Sequence, residues 1–512
     1  MLSPAGPKPN VLVHVDDIQH QPIRRRHAID GRVRSGCLTC KARKKKCDQQ
    51  YTFLDGRCKS CARLGLVCSR TPLQTVQNKM ERRKNDTRKE LGSFDGMYAH
   101  LPSPPIWLSP PLSNEGDESN IKGSYCAPGV STPFAKLPSS GNGSLERILL
   151  KYYMERLSPL CSILQDASSG FCNVLLPMAM EDASLLHALF AYASGHFPAI
   201  EKQPYIDPQA RLRFESKAAR GLSQAIRRNT ISESTIACAL ISSTSEVVRG
   251  DTKQWYIHLQ GAGHLIEHLG PPERLRQTSD GSFLLLNFVY HDIMSALTTG
   301  CRPRFCKTSW MQADAYASAD CLMGVAHEIV GCISELCVLI ADANGLDASS
   351  SDASDILRNG HRLGRLLRSS PLRPTTNLSN TNLELLIHHA EGFRFAALVH
   401  LYQFLSRLTT TTTAYRARIS ECVKELKSHL LRVPFDSYCE IGLAFPLFMA
   451  GLTAADESDC RDYVRDRLDH IQGWTGFKHT ARARDLLEYL WAAGRTDWQT
   501  VLQEWDWKIS LA

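Results

Sequence analysis

Beyond Gly143 apolar residues recur three and four positions apart, and no run alternates strictly between apolar and polar, so the pattern predicts helices and no strands. The clearest stripe is Leu322, Val325, Ile329, Ile333, Leu336 and Ile340, closed by Asn344 and Gly345. Comparable stripes run over 145–164, 183–197, 209–228, 253–269, 283–298, 382–408, 414–432 and 461–473. The Thr409–Thr413 run is a poor helix former and predicts a loop between two of them. A region of about 370 residues so patterned is ample for a large all-α core.

Before Gly143 the periodicity fades. Leu73, Val76 and Met80 are spaced like the start of a coiled-coil seam, but Arg83 and Thr87 stand where it should continue. Both a short dimerising zipper, hence a possible homodimer, and a basic linker remain open here. Residues 92–142 hold eight of the chain's 25 prolines among Ser and Gly, the composition of a disordered connector. The expected organisation is a disordered basic tail over 1–31, a small cysteine-rich domain over 32–70, a basic then Pro/Ser/Gly-rich linker over 71–142, and an all-α domain over 143–512.

Six cysteines change the picture of the N-terminal part. Cys37, Cys40 and Cys47 form C-x2-C-x6-C, and Cys58, Cys61 and Cys68 repeat it 21 residues later. The C-x2-C step lets two thiolates close on one zinc, with the third sulfur arriving from a short helix. Two tetrahedral zincs need eight ligand positions, and six sulfurs supply eight if two of them bridge. A single four-thiolate ribbon from Cys37, Cys40, Cys58 and Cys61 would strand Cys47 and Cys68. So short a segment cannot build its own apolar core, and metal binding must supply its folding energy, on the order of 10 kcal/mol or more per ion.

Between the second and third cysteines stand Lys41, Arg43, Lys44, Lys45 and Lys46, with Ala42 the one uncharged residue. Held on a metal scaffold, such a turn is an electrostatic probe for phosphates and guanine edges of double-stranded DNA. The matching stretch of the second half, Ala62–Val67, is mostly apolar. The halves therefore divide the labour, one touching DNA and the other packing against it.

These residues resemble the fungal Zn(II)2Cys6 binuclear-cluster DNA-binding domain, in the spacing of all six cysteines and in the basic stretch ending K-K-K-C-D. The resemblance implies that Cys37 and Cys58 bridge two zinc ions, with Cys40 and Cys47 completing one site and Cys61 and Cys68 the other. It implies too that Lys44 is the main reader of a CGG-like triplet, with Arg43 and Lys46 beside it. The loop Asp48–Arg57 lacks the proline usual in that family and offers Asp55 and Gly56 as a turn instead. The later region resembles the fungal-specific transcription factor domain, in Leu175, Leu176 and Pro177, in Trp255, His258, Leu259, Gly261 and Ala262, in Phe445–Phe448, Ala450 and Gly451, and in Trp491 and Trp498. That likeness implies a regulatory helical domain with no chemistry of its own.

Charge supports this division. Residues 21–90 carry a surplus of +14 against +8 for the whole chain, so the remainder carries −6, as a basic binding module on an acidic body would. Twelve further cysteines, from Cys126 to Cys460, lie without paired spacing and are expected as small buried hydrophobes of a reducing compartment. No stretch approaches a membrane span or a secretory signal, and basic clusters such as Arg24–Arg26 and Arg82–Lys84 suit nuclear import.

Other constellations carry less. In HLIEH, His264 and His268 stand a turn apart, but Leu265 occupies the position a zinc protease gives to Glu, so helix-face histidines beside a packed Trp255 are expected. A tight helix contact accounts for the G-A-G at 261–263, and His388 and His389 point to different faces. Trp498, Trp505 and Trp507 interleave with Asp497, Glu504 and Asp506, as an acidic activation segment or, in the preferred reading, as a terminal helix docking its indoles on the body.

The chain is therefore expected to be a sequence-specific transcription regulator of the RNA polymerase II type, acting with co-regulators or the transcription machinery. The alternative is a zinc-dependent RNA-binding or scaffold protein, although only Tyr51 and Phe53 offer stacking surfaces near the metal. No paired carboxylates, nucleophile elbow or phosphate loop support an enzyme.

Overall fold

The computed structural model describes residues 143–164, 169–197, 208–311, 319–344, 351–372, 380–409, 412–454 and 457–512, together with Cys58 and Arg63. Among the described residues from Gly143 onward there is one isolated β-bridge, Asp320 to Gly324, and everything else regular is helical. The main helices are α1 (Gly143–Tyr152), α2 (Leu175–Glu181), α3 (Ala183–His196), α4 (Pro208–Arg228), α5 (Glu233–Val248), α6 (Gln254–Leu269), α7 (Ser279–Thr299) and α8 (His327–Ala343). They continue with α9 (Ser351–Ser369), α10 (Asn380–Arg407), α11 (Thr412–Leu430), α12 (Ala444–Leu452), α13 (Ser458–Thr475), α14 (His479–Ala493) and α15 (Trp498–Glu504). Consecutive helices pack as pairs: α3 with α4, α5 with α6, α8 with α9, α10 with α11 and α13 with α14. Helix α12 joins the α10–α11 pair to the α13–α14 pair.

Local chemistry sets many of the ends. The Asp182 carboxylate accepts the N–H groups of Ser184 at 2.7 Å and Leu185 at 3.2 Å, satisfying donors that open α3. Its other oxygen accepts the Ser234 hydroxyl at 2.6 Å, tying that cap to α5. Ser232 and Thr235 form a reciprocal capping box on α5. At the far end of α13, Gly476 takes φ 82°, and a Cβ there would stand 2.8 Å from Nε2 of His196. A side chain would thus meet both backbone strain and a clash.

The predicted stripes fall on helices. Of the Thr409–Thr413 run expected as a loop, Thr409 follows the end of α10 at Arg407, whereas Thr412 and Thr413 already belong to α11. Two further boundaries differ. The stripe starting at Leu322 becomes helical only from His327, because the Asp320 carboxylate captures the N–H groups of Leu322 at 2.6 Å and Met323 at 2.8 Å. Gly324, at φ 58°, completes that turn. The first stripe is broken by a π-turn at Tyr153–Leu157 and ends at Leu160.

Helices α2, α5, α9, α12 and α14 fall outside the predicted stripes. Eleven of the sixteen residues of α5, and all nine of α12, are buried, so neither has a polar face to contrast with an apolar one. Ser232-x-x-Thr235 was the available signal for α5. Helix α9 was legible, since its buried Ala353, Ile356, Gly360, Leu363 and Leu367 keep the spacing of three and four.

A buried ion pair closes the segment between α11 and α13. The Arg467 guanidinium lies with Nε 2.9 Å from Oε1 of Glu440, and both side chains are enclosed. Both Arg467 Nη groups donate to the Val433 carbonyl, at 3.0 and 3.1 Å, and the Asp436 N–H donates to the other Glu440 oxygen at 2.8 Å. Removing one charge leaves its partner desolvated and uncompensated. Glu440→Gln is therefore expected to cost about 3–5 kcal/mol of unfolding free energy, while the paired apolar replacement Glu440→Leu with Arg467→Met recovers most of it. Denaturant titrations of the single and double variants check this, and equal losses in both would refute it.

Candidate functional site

The residues expected to bind metal and DNA lie outside the described residues, namely Cys37, Cys40, Cys47, Cys61 and Cys68 with Lys41, Arg43, Lys44, Lys45 and Lys46. Cys58 is described, and it is wholly buried. Arg63, in the second half of the repeat, is helical and exposed.

The helical body brings together no three His, Cys, Asp or Glu side chains able to hold a metal among the described residues. In HLIEH both histidines are exposed on α6. Glu267 instead receives Arg304, whose Nη1 lies 3.0 Å from each carboxylate oxygen, while Nη2 donates to Gln260 at 2.8 Å. The arginine lies across Gly263, where a Cβ would meet its Nε at 2.4 Å. The tight contact expected of G-A-G thus applies to Gly263, whereas nothing lies within 4 Å of a Cβ at Gly261.

The remaining signals are also packing. Trp255 is buried, and its indole donates to the Lys508 carbonyl at 2.7 Å, pinning the C-terminal tail across the body. Trp498 is enclosed between His400 and Phe448, with ring centres 5.8 and 5.2 Å away. Trp505 packs on Tyr489 and Trp507. The terminal segment is therefore a docked helix. His388 meets His429, 3.0 Å between their Nδ1 atoms, whereas His389 faces Gly442. Of the described body cysteines eight are buried and Cys161 is half-buried, but Cys301 and Cys306 depart from expectation by being exposed. The Ser309 and Thr308 hydroxyls beside the Cys306 sulfur hold its thiol below the ordinary range.

Among the described residues a cleft of about 350 Å³, open to solvent, lies where α9, α10 and α11 meet. Its walls carry Arg365 and Arg368 from α9 and Arg418 from α11, faced by the single carboxylate of Glu421. Arg368 is engaged already, with Nη1 3.5 Å from Glu421 and Nε donating to the Tyr402 hydroxyl at 3.5 Å. The Arg418 guanidinium lies 5.7 Å from the centre of the Tyr402 ring. His361 bonds the Tyr415 hydroxyl at 3.1 Å, and burial, then Arg418 and Arg365, depress its pKa and favour the neutral ring. Sequence reasoning missed this cleft, because its residues come from three helices.

The model of the fungal specific transcription factor domain matches residues 148–512. The chain belongs to that family. Two relatives match along nearly their whole length. One is an uncharacterized transcriptional regulatory protein of Schizosaccharomyces pombe, 22% identical over 94% of this chain and 97% of its own length. The other is the transcriptional activator protein UGA3 of Saccharomyces cerevisiae, 23% identical over 93% of this chain and 97% of its own. No solved structure gives a significant match. Of the family residues quoted from the body, Leu175, Leu176, Trp255, Leu259, Ala262, Phe445–Phe448, Ala450, Gly451 and Trp498 are buried and build the domain, whereas His258, Gly261 and Trp491 are half-buried and Pro177 is exposed. Among the described residues no helix is long and apolar enough to cross a membrane.

Proposed function

We propose that this family member is a sequence-specific, DNA-binding regulator of RNA polymerase II transcription, acting in the nucleus through a zinc cluster over 32–70 and a regulatory body over 143–512. The observation that carries the reading is the doubled C-x2-C-x6-C spacing around five cations in six residues, in a chain whose relatives are named as transcriptional regulators. Six thiolates are the soft, anionic donor set that zinc takes, and the burial of Cys58 suits a ligand withheld from water. Cys37, Cys40, Cys47, Cys58, Cys61 and Cys68 would hold two ions, which supply the rigidity the segment lacks.

The chain's own residues then do the reading. Lys44 presents its ammonium to the O6 and N7 acceptors of guanine in a CGG-like triplet, with Arg43 and Lys46 beside it. Lys41 and Lys45 neutralise phosphates, which positions the turn without carrying sequence information. Such contacts make binding steeply salt-dependent.

Lys44→Ala in the full chain is expected to cost about 1–3 kcal/mol on the preferred duplex, with zinc content unchanged and weak non-specific binding retained. Selection from random duplexes by wild type and variant checks this. Persistence of the same triplet preference in the variant would remove Lys44 from its role, and preference for single-stranded RNA over duplex DNA would favour the RNA-binding alternative.

A further inference from the structure

The cleft between α9, α10 and α11 has a charge pattern that the fold alone does not require. Three guanidiniums face one carboxylate, and with His361 neutral the walls carry a net charge of +2. Arg368 takes up the Glu421 carboxylate and also points Nη2 at the Cys422 sulfur, 3.6 Å away. Arg365 and Arg418 have no carboxylate partner among the described residues. They come from different helices, line one concavity and both act on His361. Both are exposed, so water screens their mutual repulsion, and an oxyanion held between them would turn that interaction attractive.

Gly364 lines the cleft on the face of α9 that meets α10, where a Cβ would stand 3.3 Å from the Tyr402 hydroxyl. Glycine within a helix costs roughly 0.5–1 kcal/mol relative to alanine, so α9 gives up some helix stability for this close approach. Tyr402 is buried and lines the cleft, and because its hydroxyl accepts the Arg368 Nε–H, its own proton is left to donate. The volume, about 350 Å³, is at the lower end of the range of small-molecule sites.

We propose that this cleft binds a small dianion, a phosphate monoester or a dicarboxylate, held between the guanidinium forks of Arg365 and Arg418 over the Tyr402 hydroxyl. Arg368 is a positioning residue, fixing the phenol and keeping Glu421 away from the ligand. A bound dianion ties α9 to α11 and gives the helical body a chemically specific input. The inference goes beyond the zinc-cluster reading and does not depend on it.

The test is calorimetric titration of the full zinc-loaded chain, at constant ionic strength, with inorganic phosphate, succinate and acetate. Phosphate or succinate is expected to saturate one site, at least tenfold more tightly than acetate. The tighter of the two identifies the source as phosphate monoester or dicarboxylate. Arg365→Ala and Arg418→Ala are each expected to weaken binding roughly tenfold or more, since a charge-assisted bidentate contact is lost. Arg365→Lys also weakens it, because the charge stays but the fork does not. Arg220→Ala, which removes an exposed cation of α4, leaves it unchanged. Circular dichroism and zinc content verify that the variants fold and carry metal, so failure of this site is distinguishable from failure of the cluster. The proposal is overturned if no probe saturates, if acetate binds as tightly, or if the Arg365 and Arg418 variants bind like wild type.

Discussion

Replacing Cys47 with serine is expected to abolish specific DNA binding while leaving the helical body folded. A hydroxyl is a poor zinc donor at neutral pH, and each structural ion contributes on the order of 10 kcal/mol to the folding of a segment that has little else to fold it. With the third sulfur of the first half gone, that half loses its ion and the turn carrying Lys44 is no longer held. Metal analysis should give fewer than two zincs per chain, and affinity for the selected duplex should fall at least a hundredfold, toward the non-specific level. Far-UV circular dichroism should barely change, because the all-α body dominates it. Two zincs in the variant, or undiminished duplex affinity, would end the binuclear reading.

The second large effect is acid destabilisation. His389, His400 and His479 are enclosed in the body. Burial holds His389 and His479 down to about 4 and His400 down to about 3. All three are therefore neutral in the folded protein at pH values where the unfolded chain protonates them, near 6.5. A depressed folded-state pKa gives stability that is complete above the unfolded value and is lost as pH falls from about 6.5 toward about 4. From pH 7 to pH 5.5 each histidine costs about 1 kcal/mol, or roughly 3–4 kcal/mol for the three. His196 and His291, also held at about 4, act in the same sense. Asp292, pushed up to about 6 by burial, acts oppositely, offsetting a little under about 1 kcal/mol. Guanidinium unfolding at pH 7.0 and 5.5 measures the difference. A midpoint that stays or rises on acidification contradicts it, and His400→Phe should flatten the dependence by roughly a fifth to a quarter.

Helices such as α4 and α11 were legible because one face meets the core and the other meets water, and that contrast is written in the residues themselves. The docking of the terminal tryptophans was legible for a related reason, since large indoles are costly to leave in water. Helices α5 and α12 were not, because a helix surrounded by protein needs no polar face. The start of α8 was overrun by a turn, because periodicity registers apolar side chains but not the carboxylate of Asp320 competing for the backbone.

From sequence alone come the all-α class of the body, the division of the chain into a basic cysteine-rich segment and an acidic, helically patterned one, and the doubled cysteine spacing with its cations. Each is a property of residues near one another in the chain, so spacing and composition carry it. Tertiary structure alone decided that Arg467 is buried against Glu440, that three histidines are held neutral, and that Arg365 and Arg418 share a cleft. These depend on which helices pack together, and the partners come from positions tens of residues apart. Desolvation and charge proximity exist only once that packing has removed the water between them.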